Sequence, residues 1–332
     1  MKALLSRAAG GPETLELAEL PDPAPGSGQL LVRVRACAIN YPDVLIIEDK
    51  YQFKPERPFA PGGEIAGVVE GAGEGVSGWT EGDRLIAMLG HGGLAEKVLV
   101  PAAMAVPLPA ERSFEDGSAL VLTYATTIHA LLDRGKLQEG ETLLVLGAAG
   151  GVGLAAVELG KAYGARVVAA VSSEEKAEAA KASGADSAIV YPSGPFDKDG
   201  ARALAAMFKD AVGPNGADLV YDPVGGDYTE AALRAIAWEG RLLVIGFPAG
   251  IPRLPLNLTL LKSCDVRGVF WGAFAARDPE ANAGHVRTLF RLWDEGRIAP
   301  KVSRTWPLAR GGEAIAHMAA RRAVGKLVVT MD

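Results

Sequence analysis

Hydrophobic residues follow two different patterns along the chain. In residues 1–118, short apolar runs alternate with polar positions at a period of two, and turns rich in proline and glycine separate them. The runs at 29–35 and 95–100 are examples. This pattern predicts a compact, mostly antiparallel β domain.

From about residue 119, apolar runs of strand length alternate with stretches that have helical spacing. The predicted strands are 142–147, 166–171, 187–190, 218–222, 241–246 and 266–270. The predicted helices lie near 151–163, 174–183, 200–210 and 228–236. This alternation predicts an α/β domain of the Rossmann class, with a doubly wound parallel sheet, over residues 119–272.

The pattern changes again after residue 272, where a helix near 279–295 and a final strand from Lys326 to Thr330 follow. This last stretch is too short for a domain of its own. We therefore expect residues 273–332 to pack on residues 1–118, so that the parallel-sheet domain is inserted in the β domain.

Composition and charge exclude several classes of function. The net charge of −6 argues against a general affinity for nucleic acid or anionic membranes. No stretch reaches the roughly 18 uncharged apolar residues of a membrane span, and the start has too short an apolar core for a signal peptide. Two cysteines, Cys37 and Cys264, are too few for a disulfide framework or a zinc cluster. We expect a cytoplasmic protein.

The strongest chemical signal follows the predicted strand 142–147. The segment Gly147-Ala-Ala-Gly150-Gly151-Val152-Gly153 is glycine-dense and leads into a predicted helix. Glycines let the backbone approach a pyrophosphate, and the N–H groups of a helix start bind its charge. Ala148 occupies the first glycine position of the G-x-G-x-x-G pattern, and a tight structural turn is the alternative interpretation. The flanking strand and helix favour a dinucleotide site.

The end of the next strand indicates which dinucleotide binds. No acidic residue directly follows the strand 166–171, where an NAD site places one for the ribose. Ser172 and Lys176 stand there instead, as donors that suit a 2′-phosphate. This favours NADPH over NADH. The other interpretation is a capped helix start, with Ser173 as N-cap before Glu174 and Glu175, and both can hold together.

Several motifs in a fixed order resemble the medium-chain dehydrogenase/reductase superfamily and, within it, the zinc-free NADPH quinone oxidoreductases. They occupy residues 38–43, 61–67, 82–84, 92–96, 148–153, 222–226 and 325–326. The resemblance covers essentially the whole chain. It implies a Rossmann NADPH-binding domain inserted in a GroES-like, mainly β catalytic domain.

The same resemblance bears on zinc. Zinc alcohol dehydrogenases hold the metal with a cysteine near the position of Asn40 and a histidine near that of Gly63. A neutral amide and a glycine cannot supply a thiolate or an imidazole. The four histidines show no ligand spacing in the sequence and are interpreted as surface or core residues: His91, His129, His285 and His317. We therefore expect no metal.

A site without a Lewis acid favours acceptors that delocalise the arriving charge themselves, such as quinones and α,β-unsaturated carbonyls. The leading hypothesis is an NADPH-dependent quinone oxidoreductase. An enoyl-thioester or 2-alkenal reductase is the alternative among enzymes. An NADPH-binding sensor or structural protein without turnover is the alternative outside them.

The resemblance implies roles for residues near the acceptor. Asn40 would lie beside the nicotinamide and the acceptor, and Thr126 would border the nicotinamide; for Asn40 a simple turn before Pro42 is the alternative. Tyr51 matches a tyrosine that delivers a proton in related enoyl reductases, and its alternative is a buried ring with its hydroxyl at the surface. Leu45 replaces a tyrosine of many quinone reductases, so the pocket would be more apolar.

The resemblance also implies the cofactor contacts. Gly150, Gly151 and Val152 would lie against the pyrophosphate, and Ser172, Lys176 and Tyr191 would surround the 2′-phosphate. Loops after later strands would line the crevice with Val224, Gly246, Phe247, Phe270, Trp271 and Gly272. Lys326 would also reach the cofactor. Three alternatives stay open. The aromatic residues of these loops could belong to the core, Tyr191 could be a strand-end residue on the rim of the sheet, and Lys326 could be a solvated lysine at the start of a strand.

The strand 264–270 is expected at the edge of the sheet. An exposed edge needs protection, and members of the superfamily commonly pair this edge across a two-fold axis. We therefore expect a homodimer through this strand, with Cys264 and Cys37 as small packing residues.

Overall fold

The structure, a computed structural model, describes residues 1–331. Its strands are β1 Lys2–Ser6, β2 Leu15–Glu19, β3 Gln29–Ile39, β4 Glu64–Ala72, β5 Arg84–Met88, β6 Lys97–Pro101, β7 Ala105–Pro107, β8 Thr142–Leu146, β9 Arg166–Val171, β10 Ser187–Val190, β11 Ala217–Asp222, β12 Ile236–Val244, β13 Asp265–Gly268, β14 Val302–Pro307 and β15 Lys326–Thr330.

The α-helices are α1 Tyr41–Ile47, α2 Phe114–Ser118, α3 Thr126–Ile128, α4 Gly151–Ala162, α5 Glu174–Ala182, α6 Lys198–Val212, α7 Asp227–Arg234, α8 Asn257–Lys262, α9 Trp271–Arg277, α10 Pro279–Asp294 and α11 Gly311–Ala319. Short 3₁₀ helices occur at Pro12–Thr14, Ala102–Met104 and Leu308–Arg310, and π-helical turns at Val121–Ala125 and His129–Arg134. Among these described helices, none combines the length and the apolar character that crossing a bilayer requires.

The chain forms two compact units. Unit 1 contains residues 1–122 and 300–332, and unit 2 contains residues 123–299. Unit 2 is thus inserted in the sequence of unit 1. The first boundary lies close to the predicted residue 118, but the predicted second boundary at 272 is wrong, since residues 273–299 belong to unit 2.

Contacts within unit 2 explain the later boundary. The indole N–H of Trp271 donates to Asn282 Oδ1 at 2.9 Å, which ties α10 to α9. The guanidinium of Arg297 donates to the carbonyl of Ala162 at the end of α4. The N–H of Ala299 donates to the buried Glu158 on the same helix at 2.9 Å. The segment after the last strand of unit 2 is therefore held to its own sheet layer.

Unit 1 is built on a mostly antiparallel sheet. Its strand order is β14-β15-β3-β4-β5-β7, with β6 also paired to β3, and only β14 and β15 run parallel to each other. The alternation in β3 explains the layer, because Leu30, Val32 and Val34 are fully buried while Arg33 and Arg35 are exposed. The predicted β domain is confirmed, with β3 at its centre.

Unit 2 is built on a six-stranded sheet in which every pair is parallel. The order β10-β9-β8-β11-β12-β13 corresponds to 3-2-1-4-5-6 when the strands of this unit are counted alone, which is the doubly wound Rossmann order. All six predicted strands are present. β12 starts earlier than predicted, because Ile236 already pairs with Ala217 before the register shifts near Glu239, whose φ is 58°.

Candidate functional site

The glycine turn of unit 2 connects β8 to α4. Gly147 adopts a φ of +56°, and Gly150 is the N-cap of the helix. A Cβ on Gly153 would lie 2.3 Å from the carbonyl oxygen of Gly147 and 2.7 Å from Cα of Ala148, so only glycine fits there. The first N–H groups of a helix have no partner within it, and they form an anion site. The turn therefore has the local geometry that a dinucleotide pyrophosphate requires.

The start of α5 combines both interpretations of its sequence. Ser173 accepts the N–H of Lys176 at 3.3 Å and caps the helix. The ammonium of Lys176 donates to Ser172 Oγ at 3.0 Å, and partial burial lowers the pKa of this ammonium. Two donors thus lie together beyond the end of β9. The contact with a 2′-phosphate stays a prediction.

Tyr191 directly follows β10, an edge strand of the unit 2 sheet. Its ring is buried, with its centroid 5.0 Å from that of Tyr228 and 6.1 Å from that of Phe208. Tyr191 is therefore a strand-end residue at the rim of the sheet whose ring is turned into the core. A role at the 2′-phosphate stays a prediction.

The loop after β11 is shaped by a buried carboxylate, Asp222. Its Oδ1 accepts the N–H groups of Val224 and Gly225 at 2.9 Å each, and its Oδ2 accepts the hydroxyl of Thr229 at 2.5 Å. Burial raises the pKa of this carboxyl, and the three hydrogen bonds oppose that rise. The predicted contact residue Val224 is thus held by an anchor that the sequence analysis did not assign.

The predicted aromatic contacts divide into two groups. Phe247 and Phe270 are 50% and 60% exposed, so their interpretation as core residues is wrong. Trp271 is buried, in agreement with that interpretation. Of the other predicted contacts, Gly272 is exposed and Thr126, at the start of α3, is partly exposed.

Unit 1 contains a buried cluster of three polar side chains. Asn40 follows β3, while Glu64 begins β4 and Lys326 begins β15, the two strands that flank β3. The three residues are 7%, 1% and 3% exposed. The sheet register, with Ala38 opposite Glu64 and Ile39 opposite Leu327, brings them to the same end of β3.

Every polar group of this Asn40–Glu64–Lys326 cluster is engaged. Lys326 Nζ donates to Asn40 Oδ1 at 2.6 Å and to Glu64 Oε2 at 2.8 Å. Asn40 Nδ2 donates to Glu64 Oε2 at 3.1 Å, and Glu64 Oε1 accepts the N–H of Leu122 at 2.8 Å. The alternative of a solvated Lys326 is wrong. Glu64 was missed, although a lone acid in the apolar run 62–69 is a signal for it.

Asp43 supports the same end of the sheet. It is buried in α1, where its Oδ2 accepts the N–H of Asn40 at 2.7 Å and its Oδ1 accepts the N–H of Gly62 at 3.0 Å. Burial raises the pKa of Asp43 to about 6, although both hydrogen bonds lower it. This carboxylate therefore fixes the backbone on which Asn40 stands.

Tyr51 is partly buried and packs against the core of unit 1. Burial raises the pKa of its phenol, and the charge of Asp43 raises it further. The phenol is thus protonated at neutral pH. Its role as a proton donor stays a prediction.

Three rings of unit 1 pack together: His91, Phe53 and Phe59. The ring of His91 stacks on Phe53 at 5.8 Å between centroids and meets the edge of Phe59 at 5.5 Å. Burial lowers the pKa of His91, so the neutral ring is favoured. No sequence motif connects these residues, because the stack depends on the fold of separate loops.

The comparisons with known proteins agree with this geometry. Residues 26–110 match the family described as alcohol dehydrogenase GroES-like domain, and residues 151–284 match zinc-binding dehydrogenase. The quinone oxidoreductase-like protein 2 of Bos taurus is 35% identical over 305 residues, which cover 91% of this chain and 85% of that protein. The chain belongs to the quinone oxidoreductase family of medium-chain dehydrogenases/reductases.

Solved structures of this oxidoreductase family have the same fold. Escherichia coli quinone oxidoreductase complexed with NADPH superposes with a TM-score of 0.90 at 27% identity, over 99% of this chain and 100% of that one. A mycobacterial structure complexed with NADPH gives 0.91 at 30% identity, over 99% of both chains.

The donor set of this family member does not fit a zinc ion, despite the description of one matched family. Glu64 is bonded to an ammonium, and a Cβ on Gly63 would lie 2.9 Å from the carbonyl oxygen of Leu89. His129 and His285 both approach Asp133 Oδ2, at 2.7 and 3.4 Å, so two histidines that are distant in sequence meet in unit 2. Even so, residues 1–331 hold no group of three or more His, Cys, Asp or Glu side chains arranged for a metal.

Proposed function

We propose that this protein is an NADPH-dependent oxidoreductase that transfers hydride to quinones or similar conjugated electrophiles without zinc. The observation that carries the proposal is the glycine turn before α4, where only glycine fits at position 153 and the helix start suits a diphosphate. The NADPH complex of the Escherichia coli relative supports the choice of cofactor.

The residues of unit 2 fit NADPH in two places. Gly150, Gly151 and Val152 would hold the diphosphate at the start of α4, and Ser172 with Lys176 would hold the 2′-phosphate through donors that already lie 3.0 Å apart. The remaining proposed contacts are Asn40, Thr126, Tyr191, Val224, Gly246, Phe247, Phe270, Trp271 and Gly272. The sequence also predicts Lys326 as a contact, but its ammonium is bonded to Asn40 and Glu64, so it would act on the cofactor through Asn40. When bound, NADPH supplies a hydride.

The residues of unit 1 would act on the acceptor. Tyr51 carries its proton at neutral pH, as any phenol with a pKa of about 10 does, so it can supply a proton to a reduced acceptor. Asn40 would present a fixed amide beside the reacting groups. Leu45 on α1 adds an apolar side chain where a second phenol would otherwise stand, which suits an apolar acceptor.

The test is turnover by the purified chain after dialysis against EDTA. We expect 1,4-benzoquinone to accelerate the loss of absorbance of reduced nicotinamide, with NADPH preferred to NADH. Activity that disappears with EDTA and returns with Zn²⁺ would contradict the zinc-free mechanism. Tight binding of NADPH without turnover of any quinone, enone or enoyl thioester would identify a binding protein instead.

Reduction of a conjugated double bond is the second candidate function. The observation that favours it is the partly buried phenol of Tyr51, packed against the core of unit 1, because reduction of an alkene requires a proton on carbon as well as a hydride. Parallel assays with a 2-alkenal, an enoyl thioester and a quinone distinguish the two, since the physiological class should give the highest kcat/KM.

We also propose that two copies pair through β13. This strand is the edge of the unit 2 sheet, and its Val266 is exposed. The preceding helix α8 exposes Leu260 and Leu261, which forms an apolar surface beside an unpaired strand. Light scattering should give the mass of a dimer, and Val266→Lys should shift it toward the monomer.

A further inference from the structure

The buried Asn40–Glu64–Lys326 cluster carries an inference that rests on the proposed function and deepens it. We propose that Lys326, together with Glu64, is a positioning residue that holds the amide of Asn40 in one orientation for the reaction. Lys326 acts through Asn40 and not through its own contact with the acceptor.

The chemistry of the partners determines the orientation of the amide. An ammonium only donates hydrogen bonds and a carboxylate only accepts them. Asn40 Oδ1 therefore faces Lys326 Nζ at 2.6 Å, and Asn40 Nδ2 faces Glu64 Oε2 at 3.1 Å. A reversed amide would place its N–H₂ against the ammonium and its oxygen against the carboxylate. Both contacts would be repulsive, so a single orientation is stable.

The rest of the cluster prevents the partners from moving. Glu64 Oε1 accepts the N–H of Leu122 at 2.8 Å, which holds the carboxylate from its other side. The N–H of Asn40 is bonded to Asp43 at 2.7 Å, which holds the backbone beneath the amide. Asn40 is thus fixed at both its main chain and its side chain.

This arrangement leaves the Asn40 amide able to accept one more hydrogen bond. Oδ1 accepts two hydrogen bonds and uses one for Lys326, while the second N–H of Nδ2 is directed to the carbonyl of Ala38 over a long 3.4 Å. The fixed amide therefore has an acceptor site at its oxygen. Without Lys326 the amide keeps only its contact with Glu64, and its oxygen loses the hydrogen bond that fixes its position.

The first test uses Lys326→Met with NADPH and 1,4-benzoquinone. We expect kcat to fall about tenfold or more, because small errors of position are costly in an active site, while the Kd for NADPH changes less than about twofold. Lys97→Met is the matched control, since Lys97 in unit 1 pairs with Asp22 and Glu70 at the surface, and it should retain kcat. An unchanged kcat in Lys326→Met would overturn the proposal.

The second test separates positioning from stabilisation of the fold. Lys326→Met alone leaves Glu64 buried without its cation, whereas Glu64→Gln/Lys326→Met removes both charges. We expect the double variant to regain most of the lost Tm but not kcat, because its amide is no longer oriented. Recovery of kcat together with Tm would show that the ion pair only stabilises unit 1.

The third test asks whether Lys326 acts through Asn40. In Asn40→Ala/Lys326→Met, kcat should equal that of Asn40→Ala within about twofold, because residues that act as one unit are not additive. Multiplication of the two separate losses would overturn the proposal. A wild-type protein that reduces no acceptor at all would instead refute the proposed function.

Discussion

The glycine turn of unit 2 and the Asn40–Glu64–Lys326 cluster of unit 1 are built in opposite ways. The turn is one contiguous segment, residues 147–153, and its binding groups belong to the backbone. The cluster joins side chains that are 24, 262 and 286 positions apart, and its groups are a buried ion pair and a buried amide. The first depends on local conformation, whereas the second depends on the pairing of strands.

This difference determines how each region responds to substitution. In the turn, a side chain should matter only where its Cβ would meet the backbone, because the proposed binding groups are backbone N–H groups. In the cluster, each side chain is a partner of the other two, so the loss of one leaves a buried charge or dipole unsatisfied.

Gly153→Ala should abolish cofactor binding. The added Cβ would lie 2.3 Å from the carbonyl oxygen of Gly147, so β8 and α4 must separate at the turn. We expect the Kd for NADPH to rise by about 100-fold or more, together with a loss of stability of about 1–3 kcal/mol from overpacking. Fluorescence titration with NADPH measures the Kd.

Gly71→Ala is the matched control, because a Cβ at this position in β4 meets no atom within 4 Å. It should bind NADPH as the wild type does. Normal binding by Gly153→Ala would show that the turn is not the diphosphate site.

Asp43 should make unit 1 less stable as the pH rises from 4 to 7. Its pKa of about 6 in the folded protein lies above its usual value of 3.8, so its stabilising contribution is complete below about pH 4 and is lost as the pH passes 6. The expected loss is about 3 kcal/mol, from 1.36 kcal/mol per pH unit.

Urea unfolding of the wild type and Asp43→Asn across this pH range isolates that contribution. The N–H groups of Asn40 and Gly62 donate to the carboxyl of Asp43, so Asp43→Asn also alters these two hydrogen bonds. Because an amide does not titrate, that part of the change in stability is the same at every pH. The stability of the wild type relative to the variant should fall with rising pH. A difference that is constant or that increases with pH contradicts the burial argument.

Lys176→Glu should change the choice of dinucleotide. The ammonium lies beside Ser172 at 3.0 Å, where a carboxylate would repel a 2′-phosphate but not a 2′-hydroxyl. We expect the Kd for NADPH to rise about 10- to 30-fold, as for the loss of a charge-assisted hydrogen bond, with little change for NADH. Equal losses for both dinucleotides would remove Lys176 from the phosphate site.

Tyr51→Phe should have the smallest effect. The substitution removes a phenol that is protonated at neutral pH and leaves the packing of the ring against the core of unit 1. We expect kcat for an enone to fall about tenfold or somewhat less, because solvent replaces the donor, with an unchanged Kd for NADPH. Turnover equal to that of the wild type would exclude Tyr51 as the proton donor.

Elements with a strong hydrophobic period could be predicted from the sequence, and features that depend on packing could not. β8, β9 and β10 lie within one residue of their predicted bounds, since each is a buried apolar run between turns. β12 was predicted five residues late, because its bulge near Glu239 hides the pairing of Ile236 with Ala217. The helix α10 was predicted correctly but assigned to the wrong domain, because helical spacing does not reveal which sheet the helix covers.

The candidate site shows the same division. The sequence alone determined the Rossmann sheet, the glycine turn and the donors at the end of β9, because each depends on residues within one turn or one element. The sequence did not reveal that Lys326 is buried on Asn40 and Glu64, or that His129 and His285 share Asp133. These contacts join residues that are far apart in the chain, and strand register and helix packing bring them together.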